Sequence, residues 1–322
     1  MLFVREGERL KKVAFSRDNP PAVQPLWIDL PGMTKEEEAY VEQLLDLSIP
    51  SREEMHEIEV SSRLYHENDA AYMTASLVTK ADTPEPEIHA VTFILTERTL
   101  VTVRYCDPRP FQDFMALAES LPASEHSAAA LFGGITGAII DRLADILERA
   151  GHSLDAMAKQ IFRQRSNSGA EKTDYQAMLE KIGHEGDLVS KTRESLVTLN
   201  RMIAYAQQSP VLRGREDACA HLSILGSDVA ALSDHAGFLS GKLTFLLDAT
   251  LGMINIEQSN IVRIFSVAAV VFLPPTLIAS IYGMNFDLMP ELRWPFGYPL
   301  VLLLMTLSSW LPYRYFKHRK WL

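Results

Sequence analysis

The spacing of hydrophobic and polar positions changes along this 322-residue chain. Up to about residue 125, short apolar runs alternate with helical patches. WIDL at Trp27 to Leu30 and YMTASLV at Tyr72 to Val78 have strand composition, while HAVTFIL and TLVTVRY, flanking Thr96, Glu97 and Arg98, read as a hairpin. Helices are predicted at Lys35 to Leu47 and at Ser51 to Tyr65. The second is opened by Ser51 with Glu54 three residues on, the signature of a capping box. From Ser124 to about Gln208 apolar residues recur at three and four, interrupted only near Ser166 to Gly169, which predicts two long helices. From about Val211 to Tyr282 no strong breaker precedes Pro274, so one helix of about 70 residues, on the order of 105 Å, is expected.

The end of the chain loses its charges. Ile264 to Phe286 is an uncharged run of 23 residues and Trp294 to Tyr313 one of 20, joined by the polar link Asp287 to Arg293. As helices they rise roughly 34 and 30 Å, enough for a hydrocarbon core of about 30 Å. Helices are expected because isolated spans must satisfy their own backbone hydrogen bonds. The short link makes them an antiparallel hairpin with both flanks on one side. Arg314, Lys317, Arg319 and Lys320 follow the second span, and the positive-inside bias places them, and with them the N-terminal part, in the cytoplasm. The first residues, MLFVREGERLKK, hold Arg5, Glu6 and Glu8 and no apolar core, so a secretory signal is not expected. Cys106 and Cys219 form no disulfide framework and suit a reducing compartment, as small buried apolar residues. The pattern thus divides the chain into a cytoplasmic α/β domain at 1–125, long cytoplasmic helices at 126–260, and a membrane hairpin with a basic tail at 261–322.

Charge follows the same division. From Ile261 onward there are six Lys/Arg and two Asp/Glu, leaving 25 basic and 39 acidic residues before it. An acidic cytoplasmic body does not favour nucleic acid or anionic lipid as its partner; divalent cations are its natural counter-charge, although ordinary solubility charge would look the same.

Along the long helix, Thr276, Leu273, Ala269, Ser266, Val262 and Ser259 alternate steps of three and four, and the row continues to Asn255, Gly252 and Asp248. A seam of 3.5 residues suits helices packed about a common axis. In a membrane, one that mixes small and polar residues either packs helices closely or lines water. Pro274 and Pro275 remove two backbone donors and free the carbonyls of Val270 and Val271, which favours the water-lined reading.

Tyr282, Gly283, Met284 and Asn285 spell YGMN at the end of the first span, followed by FDLMPEL from Phe286 to Leu292, GYP at Gly297 to Pro299 and a basic tail ending KHRKWL. With GMINIEQ at Gly252 to Gln258, IFSV at Ile264 to Val267 and VVFLPPT at Val270 to Thr276, this resembles the CorA family of magnesium and cobalt channels, in particular its proteobacterial members, over essentially the whole chain. The resemblance implies an α+β cytoplasmic domain followed by long helices and two C-terminal transmembrane helices. It also implies a homopentameric funnel in the cell inner membrane, five copies of the long helix lining the pore.

Mg²⁺ is small and holds its water tightly, so a channel gains by recognising the hydrated ion. The resemblance makes Gly283, Met284 and Asn285 the selectivity filter, where a ring of neutral Asn285 carbonyls accepts hydrogen bonds from the ion's waters and still lets go. Gly283 would permit the bend that sets the ring at the mouth. Outside that motif Asn285 would read as a helix C-cap. Thr276 offers a second oxygen ring, and Leu273 and Val262 resemble the family's apolar constrictions. For control, Asp248 matches the family's sensing carboxylate on the long helix and Glu57, in MHEI, an acidic position of the α/β domain. His56 stands where many members have a second acid. A regulatory Mg²⁺ shared between carboxylates of neighbouring subunits would stabilise the closed state; solvated surface charge is the alternative.

Other signals are weak. GFLSGKLT at Gly237 to Thr244 departs from a phosphate loop in its spacing and lies within a helix. The nine His are scattered without HExxH or a Cys/His cluster, so a zinc enzyme is disfavoured, and no enzyme is expected. The leading expectation is a passive Mg²⁺ channel gated by cytoplasmic Mg²⁺, with Co²⁺ or Ni²⁺ as accidental passengers. The rivals are a ZntB-like proton-coupled Zn²⁺ transporter, against which Met284 argues, and a membrane-anchored Mg²⁺ sensor or assembly protein.

Overall fold

The alternating pattern of the first hundred residues becomes one mixed sheet in a computed structural model that describes residues 1–6, 9–13, 24–57, 59–118, 120, 127–163, 174–284 and 294–319. Its strands are β1 (Leu2–Glu6), β2 (Arg9–Val13), β3 (Trp27–Pro31), β4 (Leu64–Glu67), β5 (Ala70–Thr79), β6 (Glu87–Leu95) and β7 (Leu100–Arg104), in the order β2-β1-β3-β7-β6-β5-β4. Every neighbouring pair is antiparallel except β3 and β7, where Trp27 stands opposite Leu100 and Pro31 opposite Arg104. The expected hairpin is β6–β7, closed by the Thr96 hydroxyl, which donates to the Thr99 carbonyl at 2.9 Å.

Side chains alternate across the sheet, giving it two different apolar faces. Leu2, Val4, Ile28, Leu30, Ile94, Val101 and Val103 form an aliphatic face packed on Val41 of α1 (Lys35–Leu45) and Met55 of α2 (Arg52–Met55). The other face is aromatic. Phe3 stacks on Trp27 at 4.4 Å, Trp27 meets Phe114 of α4 (Arg109–Ala118) edge-on, and Phe93 meets Phe111 and Phe132.

One sequence expectation changes here. The helix expected from Ser51 to Tyr65 is instead α2, the single turn α3 (Val60–Arg63) and the start of β4. The capping box is present, with the Glu54 N–H donating to Ser51 Oγ and the Ser51 N–H to Glu54 Oε2. Pairing with β5 nevertheless draws Leu64 to Glu67 into the sheet through a turn at Asn68 and Asp69, both at positive φ. The opening residues, charged as they are, form the β1–β2 hairpin with Leu2, Phe3 and Val4 buried.

The two long helices are α5 (Ala128–Arg163) and α6 (Tyr175–Gln208), and the expected break at Ser166 to Gly169 lies outside the described residues. The third, α7 (Glu216–Tyr282), runs 67 residues through Pro274 and Pro275. It starts later than the periodicity predicts because Pro210–Leu212 forms a 3-10 turn and Gly214 takes φ +82°, a left-handed conformation that ends any helix. The last helix is α8 (Gly297–His318).

By contacts the chain divides into two units, Met1–Leu247 and Asp248–Leu322, with the division inside α7. In the first, small residues on α5 meet α7: a Cβ at Gly137 would lie 3.7 Å from Leu225 Cδ2 and one at Gly151 3.7 Å from Leu239 Cδ2. Lys242 Nζ pairs with Asp155 at 2.7 Å in the same seam. Among the described residues, one helix, α7, is long and apolar enough to cross a membrane. The second expected span is the less apolar α8. Its uncharged part is 17 residues, 297–313, because Trp294 to Phe296 lie before the helix, and it includes Gly297, Tyr298, Pro299, Ser308, Ser309 and Pro312.

Candidate functional site

Ser259, Val262, Ser266, Ala269, Leu273 and Thr276 share one face of α7 and all are exposed, Val262 at 64% and Leu273 at 65%. On the opposite side, at about 100° per residue, Val267 is buried and Val271, Pro274, Pro275, Ile278 and Tyr282 are half-buried. The seam thus lies within the broad exposed surface of α7, away from the side that carries Val267 and its half-buried neighbours.

The row also extends further than the polar residues reveal. Continuing in sevens from Leu273, Ser266, Ser259 and Gly252 leads to Phe245, Phe238, Ala231 and Ile224, and every one of these positions is exposed. Phe238 and Phe245 alternate with buried neighbours such as Ala236, Leu239, Leu243 and Leu246, which make the packed face of the same helix. Large apolar side chains repeated at seven in water are the signature of a helix that packs against others like it. The spacing of Ile224, Phe238 and Phe245 in multiples of seven was present in the sequence and is the signal that would have found them.

Two seam hydroxyls are oriented by the helix itself. Thr276 Oγ1 donates to the Phe272 carbonyl at 2.7 Å and Ser266 Oγ to the Val262 carbonyl at 2.8 Å. A hydroxyl has one proton to give; once it is committed to the turn below, what the exposed oxygen offers outward is its lone pairs. The surface presented is an acceptor, suited to a cation or to the water molecules around one.

At the end of α7, the Gly283 N–H donates to the Ala279 carbonyl at 2.9 Å and the Met284 N–H to Ile281 at 3.3 Å. Gly283 does not take a left-handed conformation. A Cβ there would lie 3.1 Å from the Ala279 oxygen, a close approach. Asn285 lies outside the described residues.

The two expected control carboxylates fall in different units. Asp248 is exposed on α7. Glu57, also exposed, follows α2; its carbonyl accepts from Arg63 Nε at 2.5 Å, and with Arg52, Glu53 and His56 it borders an open depression of about 530 Å³. Among the described residues, no group of three or more His, Cys, Asp or Glu is placed to hold a metal within one chain.

A charge cluster that sequence reasoning did not find lies after β5. Asp82 pairs with Arg142 at 2.6 Å, with Arg149, and at 4.0 Å with Arg109, joining the β5–β6 connection to α5 and α4. Burial pushes its carboxyl up, but hydrogen bonds and charge from Arg149 and Arg142 overcome this and hold it below the usual carboxylate range.

Fold and site define a class of protein with a sheet-and-helix domain, a long helix that turns apolar, and an open acceptor-bearing seam. Its fold is similar to "The complete structure of CorA magnesium transporter from Methanocaldococcus jannaschii", at a TM-score of 0.74, 18% identity, and coverage of 97% of this chain and 95% of that one. The model of the family described as CorA-like Mg2+ transporter protein matches residues 23–318, and the chain belongs to that family. It is 33% identical over 323 residues to "Magnesium transport protein CorA" of Wolinella succinogenes, covering 99% of this chain and 98% of that protein. To the protein of the same name from Escherichia coli strain K12 it is 32% identical over 320 residues, covering 99% of each.

Proposed function

We propose that this chain is the subunit of a passive Mg²⁺ channel, a homopentamer of the cytoplasmic membrane whose opening is controlled by cytoplasmic Mg²⁺. The observation that carries the reading is the exposed seven-residue row of α7, apolar from Ile224 to Phe245 and turning to small, hydroxyl and apolar residues from Gly252 to Thr276. The apolar part calls for other copies of the same helix, and the remainder for a water-filled axis between them. Residues 1–125 and 126–260 are then cytoplasmic, and 261–322 crosses the membrane twice, with both termini inside. Family membership and the relatives' names support magnesium as the ion; Co²⁺ and Ni²⁺ are secondary passengers.

The mechanism follows from keeping the ion hydrated. Water bound to Mg²⁺ is a strong donor, so the path must accept. Gly283, Met284 and Asn285 form the filter, with Asn285 the first contact, and Thr276 and Ser266 supply further acceptors because their protons are held by the helix. Ala269 and Ser259 keep the axis wide, while Leu273 and Val262 form apolar rings at which closure excludes water. Asp248 and Glu57 of neighbouring subunits share a regulatory Mg²⁺ that offsets their repulsion and favours the closed arrangement.

No Asp, Glu, Lys, Arg or His lies between Ile264 and Met284, so this stretch offers no proton relay. The membrane potential drives entry. At about 2.3 kcal/mol per charge per 100 mV, a divalent ion gains roughly 4.6 kcal/mol, enough for more than a thousandfold accumulation. The test is uptake into vesicles carrying a potassium-diffusion potential without a pH gradient, comparing Mg²⁺ with Zn²⁺. Flux of Mg²⁺ that scales with the potential is expected. Flux of Zn²⁺ that ignores the potential and follows an imposed proton gradient would replace the channel with a coupled zinc transporter, and no flux of either would leave a sensor.

A further inference from the structure

The last turns of α8 carry a second pattern that transport does not use. Arg314 lies over the Trp310 ring at 5.2 Å and Lys317 over the Tyr313 ring at 5.9 Å, each cation folded back by one turn onto an aromatic residue. At about 100° per residue these four side chains occupy one face roughly 100° wide, and all four are exposed. The half-buried residues of this end, Met305, Ser308, Ser309, Pro312 and Phe316, lie on another side. A third pair, Arg319 over Tyr315 at 5.8 Å, lies beside that covered side.

Length sets the depth of the outward face. The uncharged part of α8, 297–313, rises about 26 Å, short of a hydrocarbon core of about 30 Å. Arg314 and Lys317 follow at once, so they meet the boundary layer with no residues to spare. Tyr and Trp rings settle at headgroup level, and a cation stacked on such a ring is held at that level instead of reaching into water. Two fixed cations, an aromatic floor and no Asp or Glu side chain among residues 294–322 are complementary to a phosphodiester.

The geometry points to a binding site for the headgroup of an anionic phospholipid on Arg314 and Lys317, floored by Trp310 and Tyr313, one per subunit on the outward face of α8. This rests on the membrane-spanning reading of α8 and adds to it a lipid of defined charge. Because the cations are at the end of a helix slightly too short for the bilayer, the bound headgroup fixes its depth.

The test uses the full-length protein in phosphatidylcholine vesicles containing trace spin-labelled phosphatidylglycerol or spin-labelled phosphatidylcholine, and reads the fraction of each label immobilised at the protein. The wild type is expected to prefer phosphatidylglycerol by about fivefold or more, on the order of one surface cation's worth. Arg314→Gln with Lys317→Gln should lose that preference, and Arg319→Gln should keep it. A preference that survives the double substitution, or that Arg319→Gln abolishes equally, overturns the site; the second result would make it diffuse charge. Mg²⁺ entry measured in the same vesicles separates the two readings: transport without a lipid preference sinks only the headgroup site, and a lipid preference without transport sinks only the channel.

Discussion

Arg104 grips Asp29 with both arms of its guanidinium in the middle of the sheet. Its Nε lies 3.0 Å from Oδ1 and its Nη2 2.9 Å from Oδ2, with Asp29 fully buried and Arg104 4% exposed. Thr102 donates to the same carboxylate at 2.8 Å and accepts from the Trp27 indole at 3.0 Å. The parallel junction of β3 and β7 is thus held by a fully partnered polar group inside an aromatic face. Removing one partner strands a charge, so Arg104→Met should cost about 3–5 kcal/mol, whereas Asp29→Leu with Arg104→Met should recover much of it. Urea unfolding of the three proteins in detergent checks this; equal losses in the single and double variants would mean that packing, not charge, sets the cost.

Asn285→Ala should abolish Mg²⁺ uptake and leave the oligomer intact, since the role assigned to Asn285 is contact with the ion's water. Proteoliposome flux and size-exclusion chromatography with light scattering test both halves. Flux near wild type removes the filter assignment, and dissociation makes the residue structural.

Thr276→Val removes an acceptor whose proton is already spent on the Phe272 carbonyl. Flux should fall by on the order of tenfold, the worth of about one hydrogen bond, while Thr276→Ser retains most of it. If the valine variant conducts as well as the serine variant, the hydroxyl takes no part in conduction.

Asp248→Ala should weaken closure, leaving current at millimolar internal Mg²⁺. Glu57→Ala should act in the same direction, because the proposed regulatory ion would be shared by both carboxylates. Patch recordings of the two variants and their combination decide it: additive effects would place the residues in separate sites, and unchanged inhibition would place the sensor elsewhere.

The Asp82 cluster predicts a pH dependence of local stability. Its carboxyl titrates lower folded than unfolded, so the contribution is complete above the ordinary carboxylate range near about pH 4 and is lost as pH falls through the folded value. Protection of the β5–β6 connection against hydrogen exchange, relative to the intrinsic rate at each pH, should therefore fall as the pH drops below about 4, and Asp82→Asn should show the lower protection at neutral pH already. Protection in the variant that still changes by the same amount would assign the effect to other carboxylates.

How much was legible depended on whether an element's neighbours are local. The strands around Thr96, α1, both long helices and the seam from Asp248 to Thr276 follow from periodicity within a window of residues, and the motif at Tyr282 to Asn285 from its position between apolar runs. The helix expected over Ser51 to Tyr65 failed because the pull on Leu64 to Glu67 comes from pairing with β5, which no local pattern contains. The β1 strand was hidden by charges whose neighbours Leu2, Phe3 and Val4 are buried by a distant partner, β3. Asp29 with Arg104, and Asp82 with Arg142 and Arg149, are separated by about 60 to 75 positions; single charged residues give no sign of such partners. The apolar part of the α7 row was legible, but its residues look like core until their exposure is known.

Three contacts between α5 and α7 share a single sequence offset. A Cβ at Gly133, Gly137 or Gly151 would face His221, Leu225 or Leu239, each 88 positions ahead. The helices are therefore parallel and keyed, like a rack with small notches on one bar and teeth on the other. Sliding α7 along α5 by less than a turn, about 5.4 Å, would take Leu225 and Leu239 off their notches and onto the bulkier residues between them. Motion within this unit is thereby denied a smooth axial stroke, and what remains to it is rolling or pivoting about a fixed tooth.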